Sequence, residues 1–449
     1  MLAPLRQFRQ ELYDDLDHRQ DSLFELIDSV LCADRPTTLV RLSLSPAFRR
    51  CWPSTCDALA DGSLDAAAMR RLFVRSLPQS STRRREVWAV DGTVWPRPAA
   101  ISSPERTWEY RPVAGKPQKH LVPGWEYQWL VALPEPGRSW MLPLDVQRRA
   151  PDVGTPSQLA IRQLSAALAA RPVNAPRPVV VLDSHYAPCE FAAAQLDADV
   201  LMRLPVRRRV YRAASPHAGR GAPRKHGPAL CLHRPETHGT PEQQLTTSLP
   251  AYGHVSVQVW LDVHDRIIPN AEFSVVRISV DRLPRHARPP QPLWLAWIGG
   301  PLPNDLLDLL RWYQARFGVE HGFRFVKQAL GWTTVRPRRP SAADRWSWLI
   351  SAALWQLWLA RPLLADLRMP WERAGRSPHL TPGHVRRGFI RFLTTLGTPA
   401  RAARPRGKSP GRQLGACPGP FERFAVVTHR QSHPLGCQCV HHRRRKRAA

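Results

Sequence analysis

The chain has 449 residues with 43% hydrophobic content, enough to bury sizeable cores, and 65 Lys+Arg against 36 Asp+Glu give a formal charge of +29. Such an excess sets it apart from an ordinary metabolic enzyme and favours a polyanionic partner, nucleic acid first. Eight cysteines scattered over this length do not form the dense framework of a small disulfide-stapled secreted domain.

Taken in chain order, residues 1–75 read as helical. LRQFRQELYDDLDHRQDSLFELIDSVL and LDAAAMRRLFVRSL carry apolar residues near a 3.6 period. The start has early acids and no apolar signal core, so a signal peptide is not expected. SLPQSSTRRRE reads as a linker, after which the period shortens. EVWAVDGTVWPR, GWEYQWLVALP and SWMLPLDVQRR read as strands bounded by Pro and Gly. SQLAIRQLSAALAAR is a predicted helix, RPVVVLDSHY a strand buried on both faces, EFAAAQLDA a helix and DVLMRLPV a strand.

From about 206 to 300 a basic, turn-rich stretch is followed by strand-like VSVQVWLDVHDRIIPNAEFSVVRISVDRL and PLWLAWIGG, which reads as a β-rich insertion. Helix resumes over NDLLDLLRWYQARFGVEHGFRFVKQALGW and SAADRWSWLISAALWQLWLARPLLADL. The apolar run 348–360 lies between Arg345 and Arg361 and is too short to span a bilayer, so no membrane partner is expected. The last fifty residues, poor in acids and rich in Arg, Pro and Gly, suggest a flexible basic tail. The expected layout is a helical, potentially DNA-binding region over 1–80, a core over 85–205, the insertion over 206–300, the second part of the core over 301–362 and a partly disordered basic region over 363–449.

YQARFGVEHGFRFVK, residues 313–327, contains one of only six lysines in the chain. On a continuous helix at about 100° per residue, Tyr313, Arg316, Arg324 and Lys327 fall within about 40° of Glu320, on one polar stripe. A solvated face with i,i+4 ion pairs would look the same if this helix stood alone. Two further acids change the balance. Asp91 interrupts an apolar strand and Asp183 closes another; unpaired carboxylates are costly there, and polar residues at the carboxyl ends of buried strands often mark sites. A turn role for Asp91-Gly92-Thr93 and for Asp183-Ser184-His185 is the competing reading.

The block Tyr313-x2-Arg316-x3-Glu320-x6-Lys327 resembles the Y-x2-R-x3-E-x6-K signature of bacterial insertion-sequence DDE transposases, in the RNase H-like and retroviral integrase superfamily. The likeness covers about residues 85–335. Ser184-His185-Tyr186, after the second aspartate, departs from the forms known for the family and leaves the flanking contacts open. The resemblance implies an α/β fold: an RNase H-like mixed-sheet catalytic core interrupted by a β-rich insertion, with helical N-terminal and C-terminal regions. It makes Asp91, Asp183 and Glu320 the catalytic carboxylates and ligands of two Mg²⁺ ions, with Mn²⁺ as a substitute and Asp91 bridging the pair. It assigns Tyr313, Arg316, Arg324 and Lys327 to DNA, with Arg as a planar fork and Lys as a point charge. It further implies cut-and-paste transposition on double-stranded DNA, both element ends and target, by a homodimer on paired ends in the bacterial cytoplasm at the nucleoid. Whether a hairpin intermediate forms stays open. The alternatives are a metal-dependent nuclease without strand transfer and a non-catalytic DNA-binding descendant.

Two lesser signals complete the reading. Cys437-x-Cys439 with His441 and His442 resembles half a zinc site without a convincing second half. Trp95 and Trp260 could wedge a flipped base, although core packing is the better default for both.

Overall fold

The computed structural model describes residues 2–34, 36, 38–78, 85–112, 119–135, 138–216, 219, 222–284, 290–372, 380–404, 411, 413–415, 417, 419 and 421–429. The Cys437, Cys439 and His441 cluster lies outside the described residues, as does the terminal Arg-rich run.

Five helices open the chain: α1 (Ala3–Asp14), α2 (Gln20–Cys32), α3 (Leu39–Leu42), α4 (Pro53–Asp61) and α5 (Ala66–Arg75). Asp65 starts α5 by accepting from the N–H groups of Ala67 and Ala68. Strands β1 (Val87–Pro96), β2 (Thr107–Pro112), β3 (Lys119–Ala132) and β4 (Leu142–Arg148) follow. Next come α6 (Pro156–Leu168), β5 (Val179–Leu182), α7 (Pro188–Ala194) and β6 (Asp199–Arg203). Thr155 and Gln158 form a reciprocal capping box that fixes where α6 begins.

The first sheet half has a definite logic. β1 pairs antiparallel with the long β3 and parallel with β5, and β5 pairs parallel with β6. The far edge of β3 is shared: its first half pairs β2 and its second half β4. The order β4-β3-β1-β5-β6 is the mixed sheet of an RNase H-like core. Val179–Leu182 is buried throughout, as a central parallel strand covered on both faces must be.

Beyond β6 the sheet continues. β7 (Arg209–Tyr211), β8 (Ala229–Cys231), β9 (Gln243–Leu249), β10 (Gly253–His264), β11 (Glu272–Val280) and β12 (Leu293–Ile298) complete one twelve-stranded sheet. β12 runs antiparallel beside β6, so the β-rich segment over 206–300 extends the core sheet through an edge pairing. The chain then forms α8 (Leu307–Ala315), α9 (Phe317–Gln328), α10 (Pro340–Ala360) and α11 (Pro382–Leu396).

α10 is the trunk of the helical layer. Seventeen of its residues are buried, including Trp346, Trp348, Trp355 and Trp358. A helix apolar nearly all round must be enclosed; α1, α2, α4 and α11 pack on it on one side and β4 on the other. Trp355 Nε1 donates to the Pro143 carbonyl at 2.6 Å, and Arg9 pairs with Asp28 at 2.6 Å inside the helical layer. The N-terminal helices are thus joined to the core. Among the described residues, no helix is long and apolar enough to cross a membrane.

Candidate active site

The site grows from one strand. Register partners share a face of a sheet, so Asp91 and Thr93 lie with Trp129 and Tyr127, whereas Gly92 and Val94 lie with Gln128 and Glu126 on the opposite face. The parallel register Ala89↔Val181, continued by two residues, brings Asp183 beside Asp91 on the same face. β5 ends at Leu182, so this flank of β1 opens where the two aspartates meet.

α8 and α9 cover that face. The sequence reading expected one continuous helix across 313–327; the structure breaks it at Arg316, the residue joining α8 to α9. The Arg316 N–H turns back to the Tyr313 carbonyl at 3.2 Å, a tightened i→i−3 contact. Arg316, at this junction, reaches both aspartates. Its Nη2 lies 2.8 Å from Asp91 Oδ2 and 3.6 Å from Asp183 Oδ2. Arg316 Nε is buried without a hydrogen-bond partner among the described residues.

Burial pushes the Asp91 carboxyl up to about 6; Arg316 opposes this, Asp183 adds to it, the Gly92 N–H opposes it and Glu320 adds to it. Glu320, exposed in the first turn of α9, also acts through its charge on Arg316. The three carboxylates therefore share one electrostatic neighbourhood. Asp183 Oδ1 accepts from the His185 N–H at 2.8 Å, so its turn geometry and its place beside Asp91 coexist.

The other residues singled out are placed as follows. Lys327 Nζ donates to Thr93 Oγ1 at 2.5 Å and lies 5.8 Å from the ring centroids of Phe323 and of Trp332. It ties the end of α9 to β1, two residues past Asp91. Tyr313 is half-buried, and burial raises its phenol. Arg324 is exposed. Trp95 and Trp260 are fully buried and belong to the core. Trp332 meets Tyr127 and Trp129 edge-to-face and Trp95 at a tilt, which makes an aromatic floor beneath α9.

Sequence reasoning passed over several neighbours. Arg203, at the end of β6, lowers the Tyr313 phenol through its charge, against the effect of burial. Buried Tyr186, in the turn after Asp183, has its hydroxyl 3.3 Å from the Gln128 side-chain amide, and both aspartates bear on its phenol. The signal for Arg203 was its position at the carboxyl end of a parallel strand, the same cue that marked Asp183.

The donor set suits divalent cations. Carboxylate oxygens are the ligands that Mg²⁺ and Mn²⁺ prefer, and Asp91 is a part-buried acid with two like charges nearby. A cation there would relieve the cost of ionising it. Asp91, Asp183 and Glu320 would hold the ions, and Arg316 would have to share or cede its place between the aspartates.

A mixed α/β sheet with one acid inside β1 and another just past β5, faced by a helix bearing a third, has the architecture of the RNase H-like class. A family model described as "DDE superfamily endonuclease" matches residues 11–260, more than half of the chain. The chain belongs to that family, whose members act on DNA with divalent metals. The match includes Asp91 and Asp183 and ends before Glu320. No curated protein matches the chain at a significant level.

Proposed function

We propose that this protein is a DNA transposase that cuts the ends of an insertion sequence and joins them to new DNA, with Asp91, Asp183 and Glu320 as its catalytic carboxylates. The observation that carries this reading is the Arg316 guanidinium reaching Asp91 and Asp183 at 2.8 and 3.6 Å, from the helix junction that also supports Glu320. Chain segments more than a hundred residues apart meet at that point.

Divalent ions, Mg²⁺ by preference, supply Lewis-acid stabilisation of the phosphate and of the leaving 3′-oxygen when bound. The chain's own residues do the rest. Asp91, ionised, anchors the site; Asp183 and Glu320 flank it and set where a phosphate can approach. Arg316 offers a planar fork to a phosphate oxygen once its hold on the aspartates loosens. Arg324, exposed on the next turn after Glu320, and Tyr313 with Arg203 line the approach and position the strand. Lys327 keeps α9 seated on β1, and that seating sets the distance from Glu320 to the aspartates. The basic surface would hold duplex away from the cut with little sequence preference and strong salt dependence.

The test is purified protein with Mg²⁺ and DNA bearing the inverted repeats that flank its gene. Cleavage at the repeat ends followed by joining supports the proposal. Cleavage without joining reduces it to a nuclease, and binding without cleavage overturns it.

A further inference from the structure

A second constellation lies on the opposite face of β1 and β3. Glu109 of β2, Glu126 of β3 and His429 of the C-terminal segment place one ligating atom each within 4.8 Å of one another. Glu126 shares the face of Gly92 and Val94, away from Asp91. His429 arrives from a strap over 421–429: the Phe424 and Val427 N–H groups donate to the carbonyls of Ile101 and Arg106, and Val427 bridges Thr107 as a further strand position.

The contacts within the cluster are uneven. His429 Nε2 is 2.8 Å from Glu109 Oε1 and 3.7 Å from Glu126 Oε2. A single imidazole N–H can serve one of these oxygens, not both. Glu109 is buried and its carboxylate also accepts from the Thr107 hydroxyl, while Arg149 holds Glu126 at 2.7 Å. Such outer hydrogen bonds fix ligand orientation. Tetrahedral bonds near 2.0 Å place ligand atoms about 3.3 Å apart; the two observed separations bracket that spacing.

The geometry points to a divalent first-row cation, held by the Glu109 and Glu126 carboxylates and His429 Nε2, that clamps the C-terminal strap onto β2 and β3. One nitrogen with two carboxylates suits Zn²⁺ or Mn²⁺ better than Mg²⁺, which prefers oxygen alone. The clamp would moor the root of the basic C-terminal run behind the strand that bears Asp91. Glu126 Oε1 lies 3.1 Å from where a Cβ on Gly92 would stand, so the cation would sit close behind that strand.

The test uses the full chain carrying Asp91→Asn and Asp183→Asn, which disables the carboxylates on the other face. Mn²⁺ is the probe, because thiolates elsewhere in the chain compete poorly for it. Electron spin-echo modulation reads the nitrogen of a ligating imidazole. The expected result is one bound Mn²⁺ with nitrogen coupling, lost together with roughly tenfold or more of the affinity when His429→Gln is added. Trypsin cleavage after Arg423 should slow when Mn²⁺ is added and cease to respond in the His429→Gln protein. Glu109→Gln keeps the imidazole and should weaken binding similarly, which guards against a folding defect in one variant. Absence of nitrogen coupling, or coupling that survives His429→Gln, overturns the site and leaves an ion pair.

Discussion

Arg316 Nη2 lies 2.8 Å from Asp91 Oδ2, and the residue making this contact is the one at which α8 gives way to α9. The helix junction and the ion pair fall on the same residue. Arg316→Ala should therefore lower single-turnover cleavage by roughly ten- to a hundredfold, the loss expected for a charge-assisted bond of about 1.5–3 kcal/mol. Arg316→Lys should recover only part, because an ammonium cannot reproduce the planar fork. Wild-type rates in the alanine variant would remove Arg316 from the site.

The Asp91 carboxyl titrates at about 6, above the usual carboxylate range, because burial and its acidic neighbours disfavour the charged form. The folded state therefore holds this proton more tightly than the unfolded chain. Asp91 then lowers stability at neutral pH, and that cost is relieved as pH falls through about 6 toward 4. In chelator, wild-type protein should gain stability on acidification across that window, and Asp91→Asn should flatten the gain by an amount on the order of 1–3 kcal/mol. Cleavage runs the opposite way and should fall as pH drops through about 6. Thermal melts and rates across pH 5–8 check both signs.

Lys327 serves α9 more than it faces outward, since its ammonium rests on Thr93 Oγ1 and beside two aromatic rings. Lys327→Met should cost about 1–2 kcal/mol of stability. Thr93→Val removes the hydroxyl and keeps the charge. If Lys327 acts as an anchor, Thr93→Val should reproduce part of its cleavage defect with unchanged salt dependence of DNA binding. If only Lys327→Met affects cleavage, the lysine acts through phosphate.

Gly322 lies two residues past Glu320, and a Cβ there would meet Met141 Cβ at 2.7 Å and Sδ at 2.5 Å. Gly322→Ala should push α9 off β4's approach and lower cleavage about tenfold or more, because small displacements of a catalytic group are costly, with about 1–3 kcal/mol lost to overpacking. DNA affinity, carried mostly by exposed cations, should change little. Unaltered cleavage would mean that the position of α9 is not critical.

Much of the architecture was legible because its elements announce themselves locally. VVVL before Asp183 is a doubly covered strand by composition alone, and the apolar circumference of 348–360 marks a buried helix. The helix break at Arg316 was not legible: no proline marks it, and the polar stripe has the same spacing with or without a junction. β2 was also missed, because TWEYRP carries charge and ends in proline, and it is held as a strand by pairing with β3. Continuation of the sheet from β6 into β12 depends on an edge pairing between segments ninety residues apart, which no local period encodes. Of the acids proposed for the site, Asp91 could be singled out as a charge inside an apolar strand, Asp183 as one closing another, and Glu320 from one motif. Thr93 and His429 could not, since their partners are set by tertiary contacts.

The most direct measurement is single-turnover cleavage of a repeat-end duplex in Mg²⁺ by Glu320→Gln protein, with DNA binding measured alongside. Glu320 is the carboxylate that the family match does not reach, and it is not one of the two that pair with Arg316. The account expects cleavage to fall by about a thousandfold or more, with DNA affinity kept within a few fold. Cleavage at near wild-type rate would contradict it and require another residue as the third carboxylate.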